Sequence, residues 1–260
     1  MLKFSLLLLL TFCLLLISGC VSNSDAESAP AATKESVPIS QLISQADDLY
    51  KQRTDFAKLR DCIGLLKRAR NADSKNLDVH WKIAQANYFL GKFTTDEKES
   101  EKAFKDGIDA GKTCINLAKD KPDGYFWVGA NLGGRAEKSP ITYGLTSLDE
   151  IRSMMNKVIE IQPNYQGASA YDALAQLELE TRLTGGKPEK ALEYLQKAIA
   201  LDSENSYIHL HLAETYLALG KEAEAKKQID FILKTKPSAD FLPEYEDAKK
   251  DAEKLLKTRF

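Results

Sequence analysis

Cysteine and histidine side chains are the groups of this chain that could carry nucleophilic, redox or metal chemistry. The 260 residues include four cysteines and three histidines. Cys20 has the most specific setting, because it directly follows the small residues Ser18 and Gly19 at the end of an apolar run that starts at Phe4. Lys3 places a positive charge before that run. A charged start, a short apolar stretch and small residues before a cleavage point are typical of a secretory signal.

The order Ile17-Ser18-Gly19-Cys20 also resembles the lipobox of bacterial lipoproteins. The resemblance implies that residues 1–19 are a signal peptide and that the Cys20 thiol carries lipid such as palmitate. The apolar run of roughly 14 residues is shorter than the ~20 that a spanning helix needs, although a transmembrane anchor or an ordinary cleaved signal remains the alternative. In a Gram-negative host, Val21 in place of Asp after the cysteine implies an outer-membrane lipoprotein that faces the periplasm.

Two further cysteines belong to the mature chain. Cys62 and Cys114 lie on apolar stripes of helices that we assign to different hairpins. An extracytoplasmic compartment permits a disulfide between them. We expect two separate buried thiols instead, because such helices are not usually close enough to be bridged.

The histidine pattern does not predict a metal site. His209 and His211 are two positions apart on a predicted helix, so they face nearly opposite directions and cannot share a metal ion. His80 and His209 occupy equivalent repeat positions, where large rings pack in the core or the wall of a groove. Signatures of serine hydrolases and paired-cysteine motifs are missing from the sequence. We therefore predict that the chain is not an enzyme and uses no metal or cofactor.

Composition separates a tether from a helical domain. Residues 20–38 are rich in Ser, Ala and Pro and predict a disordered tether. From Ile39 onward apolar residues recur at three- and four-residue spacing, which indicates helices. The formal net charge is −2, and basic and acidic residues are interspersed. A nucleic-acid partner is not expected, because binding its backbone needs a clustered basic face.

The helices pair into repeats. The clearest unit runs from Ser206 to Ala239, with Leu212-Ala213 in its first helix, a break at Gly220, and Ala225 in its second helix before Pro237. This pattern resembles the 34-residue tetratricopeptide repeat. Residues 39–260 are therefore predicted to form an all-α array of about five helical hairpins with a C-terminal capping helix. The other hairpins are marked by Ala46, Tyr50, Cys62, Leu66 and Ala69; by Ile83-Ala84, Tyr88, Gly91, Ala110, Cys114, Leu117 and Pro122; by Val128-Gly129, Ile151, Met155, Val158 and Pro163; and by Leu174-Ala175, Ala191, Leu195 and Ala198.

Three predicted hairpins depart from the repeat length. Compared with a 34-residue repeat, roughly 14 extra residues lie within 91–110 and about 10 extra residues lie within 129–151. A shorter insertion lies around Arg182. The second insertion contains Gly133-Gly134-Arg135. Insertions in a repeat array map to hairpin tips on one face, which is often the binding face.

Several motifs narrow the resemblance to the T-component family of TRAP-type transporters, over most of the chain from about Ile39. This resemblance implies a lipid-anchored periplasmic protein that associates with the substrate-binding protein of the transporter. Arg135 and its neighbours replace the tryptophan that the family has after the middle glycines. The motifs are Tyr125-Phe126-Trp127, Asn131-Leu132-Gly133, Ile161-Gln162-Pro163, Gly185-Gly186-Lys187-Pro188-Glu189-Lys190-Ala191 and Leu212-Ala213-Glu214-Thr215-Tyr216.

The register of the repeats assigns a stripe of each first helix to the concave groove, and two polar residues to the middle tip. Aromatic walls with a few amides suit a peptide segment or an apolar small molecule. The alternative is that a short superhelix closes on itself and these rings are core. The predicted groove and tip residues are Trp81, Gln85, Tyr88, Phe126, Asn131, Arg135, Gln176, Tyr207 and Glu214.

Together these features predict a lipid-anchored scaffold that binds a periplasmic protein, with a transporter substrate-binding protein as the expected partner. Acyl chains would hold it on the membrane, and a homo-oligomer is left open. The alternatives are a carrier of an apolar ligand in a helical pocket and an outer-membrane assembly factor.

Overall fold

The computed structural model describes residues 37–238 and 241–260. The predicted signal peptide, Cys20 and the tether up to residue 36 lie outside these ranges. In the described part the three- and four-residue apolar spacing gives helices joined by short turns, together with a π-helical turn at Pro140–Gly144 and a 3-10 turn at Arg182–Thr184. The α-helices are α1 (Ile39–Tyr50), α2 (Phe56–Ala72), α3 (Leu77–Phe93), α4 (Glu97–Leu117), α5 (Pro122–Lys138), α6 (Leu148–Ile161), α7 (Ser169–Glu180), α8 (Pro188–Leu201), α9 (Ser206–Ala218), α10 (Glu222–Lys234) and α11 (Leu242–Arg259).

The helices begin and end where the sequence supplies capping or turn residues. At the start of α4 the Asp96 side chain accepts hydrogen bonds from the backbone N–H groups of Lys98 and Glu99, which no carbonyl within the helix can satisfy. Pro188 stands in the first turn of α8, where its missing N–H costs nothing. Gly220 adopts a φ of +70° between α9 and α10, a backbone conformation that other residues rarely adopt. The breaks predicted at Gly220 and before Pro188 are thereby confirmed.

Consecutive helices pack against each other as hairpins, from α1 with α2 to α9 with α10. Small residues allow the close approach, as at Ala213 and Ala225, which are fully buried between α9 and α10. The C-terminal helix α11 packs on α9 and α10 as a cap. The predicted all-α array with a capping helix is confirmed.

The first insertion lengthens helices instead of forming a loop. The residues between Gly91 and Ala110 extend α3 and α4, which are joined by only three residues, 94–96. The Ser100 hydroxyl donates to the Gly91 carbonyl at 2.7 Å, and the Phe104 ring lies against Gly91, so the two extended helices pack closely. The prediction of a long tip in this hairpin is wrong, because buried contacts keep the added residues helical.

The second insertion is corrected in the same way. Gly133-Gly134-Arg135 lie inside α5, and only residues 139–147 form the tip before α6. A Cβ at Gly134 would collide with the Phe104 ring, so that glycine allows α5 to pack on α4. Phe104 is itself almost fully buried. The glycines serve helix packing here and do not form a turn.

Cys62 and Cys114 are separate thiols, as predicted. Cys62 in α2 and Cys114 in α4 are free and buried. Burial raises the pKa of each thiol to about 12, which keeps both protonated at neutral pH. Among the described helices none is long and apolar enough to cross a membrane.

Candidate functional site

The α3 stripe of the predicted groove is half-buried and makes contacts within the chain. The Trp81 indole donates to Asp78 at 3.2 Å, and its ring lies under the Lys82 ammonium at 4.6 Å. Gln85 and Tyr88 follow on the same helix and are also half-buried. The Tyr88 ring centroid lies 5.9 Å from that of Trp127 on α5, so this part of the stripe joins two first helices.

The α5 residues of the prediction are buried. Phe126 is 7% exposed, and its ring packs edge-on against Trp127 and Tyr165. Asn131 has no exposed surface, and its amide nitrogen donates to the carbonyls of Ala84 at 3.1 Å and Trp127 at 2.7 Å. Assigning Asn131 to an accessible tip is therefore wrong, because its amide links α5 to α3 inside the core.

Arg135 contacts an acid, but the acid belongs to this chain. Its guanidinium forms an ion pair with Glu101 of α4 and lies 3.6 Å from the Tyr143 ring centroid. The hydrogen bonds from Arg135 hold the pKa of the Glu101 carboxyl below its usual range. This cluster fastens the tip between α5 and α6 to α4.

The α7 and α9 parts of the stripe meet each other. Gln176 donates to Asp172 at 3.0 Å, and the other Asp172 oxygen lies 2.7 Å from His211 Nδ1. Burial opposes protonation of His211, but the Asp172 carboxylate outweighs it and raises the histidine pKa. Glu214 lies one turn further on, where burial and the carboxylates of Glu180, Asp251 and Asp172 raise its pKa. This side of the concave face is acidic.

The groove is closed by contacts between the ends of the array. The Lys92 ammonium of α3 donates to the Tyr207 hydroxyl of α9 at 3.3 Å and lies 3.7 Å from Asp247 of α11. Tyr207 in turn donates to Asp247 at 2.5 Å. Burial opposes the Lys92 charge, yet the surrounding Tyr88, Tyr207 and Asp247 raise its pKa, so the ammonium stays protonated. These contacts agree with a superhelix that closes on itself, but Trp81, Tyr88 and Tyr207 are half-buried, so the groove rings are not all core.

A second contact joins the same two ends. Arg53, in the turn after α1, is 4% exposed and pairs with Glu244 of α11 through two guanidinium nitrogens, at 2.5 and 3.2 Å. Beside this pair lies a surface cleft of 320 Å³, which has Phe56, Phe89 and Phe93 on one side and Pro243, Glu246 and Lys250 of α11 on the other.

Sequence reasoning missed the residues that close the groove. Lys92 follows Tyr88 by one helical turn on the same stripe of α3, so the register could have identified it. Arg53, Glu244 and Asp247 had no such signal, because their meeting depends on how far the whole array curves.

Exposed apolar side chains mark the hairpin tips. Ile141 and Leu145, between α5 and α6, are 102% and 70% exposed, and Leu183, between α7 and α8, is 100% exposed. We call these three residues the tip patch. Arg152 of α6 and Glu178 of α7 form an ion pair of 2.9 Å near these tips, which holds the two hairpins side by side. Groups of three or more side chains that could hold a metal ion are not found in residues 37–238 and 241–260.

Comparisons with solved structures show the fold. A thermophilic tetratricopeptide-repeat protein of Thermus thermophilus is 19% identical, with a TM-score of 0.59, over 81% of this chain and 98% of that chain. The pilF protein of Pseudomonas aeruginosa is 13% identical, with a TM-score of 0.55, over 85% and 93% of the two chains. No curated protein matches the sequence significantly.

Two family models match the sequence. A tetratricopeptide-repeat model matches residues 182–250. The model described as regulator of microtubule dynamics protein 1-3 matches residues 42–171, which is half of the 260 residues. The chain therefore belongs to the family described as regulator of microtubule dynamics protein 1-3, and its fold is that of a tetratricopeptide-repeat protein.

Proposed function

We propose that this protein is a lipid-anchored, non-enzymatic scaffold that binds a partner protein outside the cytoplasm through the tip patch. The observation that carries the proposal is the full exposure of Ile141 and Leu183 on neighbouring hairpin tips. Tetratricopeptide proteins bind peptide or protein partners, and an array of packed hairpins offers surfaces of this kind. Exposed apolar side chains that cluster on a surface mark interaction sites, because covering them releases ordered water.

The geometry supports a partner on the tips better than a ligand in the groove. The concave face is bridged by Lys92, Tyr207 and Asp247, whose contacts occupy part of the wall that a peptide would line. A carrier would need an enclosed apolar pocket, whereas two clefts in the described residues, of 460 and 320 Å³, are open at the surface. The carrier alternative is therefore the weaker one.

The proposed anchor would keep the scaffold close to the membrane. A flexible tether of ~18 residues spans roughly 20–25 Å on average. An acyl anchor at Cys20 would therefore keep the helical domain within about this distance of the membrane. Anchoring raises the local concentration of the scaffold for a partner at the same membrane.

Within this proposal, the partner that the T-component resemblance favours is the substrate-binding protein of a TRAP-type transporter. An outer-membrane location facing the periplasm completes that version of the proposal. An outer-membrane assembly factor would capture a different partner through the same tips. The family description names the regulation of microtubule dynamics, so tubulin is included among the outcomes of the test.

Crosslinking and pull-down from the native host, with the lipidated protein as bait, tests the scaffold. We expect one partner protein to be recovered with the wild type and lost with Ile141→Asp/Leu183→Asp. The matched control is Leu201→Asp/Phe241→Asp, which places the same charges on 46% and 63% exposed side chains at the opposite edge. Equal loss with both variants would refute the tip site. Recovery of a solute-binding protein, an assembly protein or tubulin would decide the identity of the partner.

The anchor has its own test. Cys20→Ala should move the protein from the membrane fraction to the soluble fraction, because the acylated thiol is lost. If the variant stays with the membrane after a salt wash, the lipid-anchor part of the proposal is wrong. The pull-down remains informative in that case, since the tip patch does not depend on the anchor.

A further inference from the structure

Three cations stand on the same tips as the exposed apolar side chains of the tip patch. Lys138 ends α5, and Arg182 and Lys187 lie in the segment between α7 and α8. All three side chains are exposed, and within the described residues none of their charged groups forms an ion pair or a hydrogen bond. Residues 138–148 and 181–188 contain no Asp or Glu. The tips are therefore positively charged, although the formal net charge of the chain is −2.

The carboxylates that directly flank these two segments serve contacts within the chain. Glu137 and Glu180 interact electrostatically with titratable groups of the concave face. Asp149 and Glu189 stand in the first turns of α6 and α8, where a negative charge complements the helix dipole. The tip cations are thus left for a partner.

The tips are held in shape by contacts behind them. The Gly186 N–H donates to the Thr181 carbonyl at 2.9 Å, which closes the second tip. The Glu178 side chain is 5% exposed and binds Arg152 of α6 at 2.9 Å and the backbone N–H of Lys187 at 3.2 Å. One buried carboxylate therefore links the base of the second tip to α6, which follows the first tip. A surface that is ordered before binding loses little freedom when a partner covers it.

Single apolar side chains on ordered turns suit a protein surface better than a lipid surface. Ile141 and Leu183 are fully exposed, and the exposed backbone of Gly185 follows Leu183 by two residues. Backbone groups of a turn find no partners in hydrocarbon, whereas a protein surface can form hydrogen bonds with them. A complementary protein surface has apolar sockets for the two side chains and carboxylates around them for the cations.

We propose that the tip patch binds a protein surface whose apolar sockets are rimmed by carboxylates, with Ile141 and Leu183 in the sockets and Arg182 and Lys187 at the rim. This inference rests on the proposed function and gives its tip patch a partner chemistry. Lys138 extends the basic rim on the first tip. Charge pairs at the rim of an interface steer the encounter and select against basic partners. Binding should weaken as the salt concentration rises, because exposed charge pairs are screened.

An amphipathic peptide with a face of leucines bordered by glutamates serves as the probe, and a counterpart carries lysines in place of the glutamates. The full-length lipidated protein is held in phosphatidylcholine nanodiscs, and surface plasmon resonance against empty nanodiscs gives the affinity. We expect the glutamate peptide to bind at least about tenfold more tightly than the lysine peptide. Arg182→Glu/Lys187→Glu should weaken binding of the glutamate peptide by about tenfold. Ile141→Asp/Leu183→Asp should remove it.

The matched control is Lys75→Glu/Lys119→Glu, which makes the same charge change at exposed positions in the turns between hairpins. This variant should bind the glutamate peptide as the wild type does. The proposal is overturned if the wild type does not bind the glutamate peptide, if both peptides bind equally, or if the tip variant loses no more affinity than the control. In each of these cases the pull-down can still recover a partner through Ile141 and Leu183, so the proposed function is tested separately.

A lipid surface is the other source of negative charge to be tested. The Cys20→Ala protein is mixed with phosphatidylglycerol vesicles and sedimented. Co-sedimentation that is lost with Arg182→Glu/Lys187→Glu would assign the tip cations to a membrane surface and would overturn the proposal. We expect this charge change to leave co-sedimentation unchanged.

Discussion

Replacing Gly124 by Ala provides a sharp test of how closely α4 and α5 pack. A Cβ at Gly124 would lie 2.7 Å from the Ile115 nitrogen and 2.9 Å from the Gly111 carbonyl oxygen, both of which are backbone atoms. Ordinary contact begins at 3.4 Å, so the two helices would have to separate by about 0.7 Å. Backbone atoms of a packed helix cannot turn aside as a flexible side chain can.

Overpacking of this kind costs about 1–3 kcal/mol, and the better helix propensity of Ala offsets about 0.5–1 kcal/mol at most. We therefore expect Gly124→Ala to lower the free energy of unfolding by about 1–2 kcal/mol. For a domain of this size such a loss corresponds to about 2–8 °C in Tm. Urea denaturation followed by circular dichroism measures it.

The matched control is Gly133→Ala on the same helix. Nothing lies within 4 Å of a Cβ at Gly133, so only the propensity gain of about 0.5–1 kcal/mol remains and this variant should be stabilised. Opposite signs for the two variants are the signature of the close α4–α5 approach. If Gly124→Ala is as stable as Gly133→Ala, the packing derived for these helices is incorrect.

Further predictions concern buried polar groups and thiols. Asn131→Ala should cost about 1–3 kcal/mol in urea denaturation, because it removes two buried hydrogen bonds, whereas Ala at the exposed Asn71 should change stability by less than about 0.5 kcal/mol. Glu214→Gln should stabilise the protein at pH 7, because burial and neighbouring carboxylates raise the pKa of Glu214 in the folded state. The contribution of Glu214 to stability is therefore fully present below its pKa in the unfolded state and is lost as pH rises through its pKa in the folded state. The gain should disappear near pH 4, where both proteins carry a neutral side chain, and a gain that does not change with pH would contradict this cause. Cys62 and Cys114 should react with a thiol reagent at pH 8 only after unfolding, because burial raises both thiol pKa values to about 12. Rapid labelling of the remaining buried cysteine in the native Cys62→Ala or Cys114→Ala variant would contradict this prediction.

The candidate site was predictable only in part. The repeat register placed Tyr88, Gln176, Tyr207 and Glu214 on one concave face, because a helical stripe follows from sequence spacing alone. Asn131 was assigned to the middle tip, since it lies in the predicted insertion that contains Gly133-Gly134-Arg135. Its burial follows from the carbonyl of Ala84, 47 residues earlier, which accepts its hydrogen bond. Contacts over such separations have no signature in local sequence.

The sequence by itself determined the helices, their pairing and the breaks between them. Spacing of apolar residues, small residues at Ala213 and Ala225, and the turn residue Gly220 act over a few positions, so they can be recognised along the chain. Only the tertiary structure decided that Gly134 lies within a helix and that the concave face is closed. The closure joins Lys92 to Tyr207, which are 115 residues apart, and it depends on small angles summed over successive hairpins. No single residue determines this sum of angles, so the ends of the array meet only when the whole array has folded.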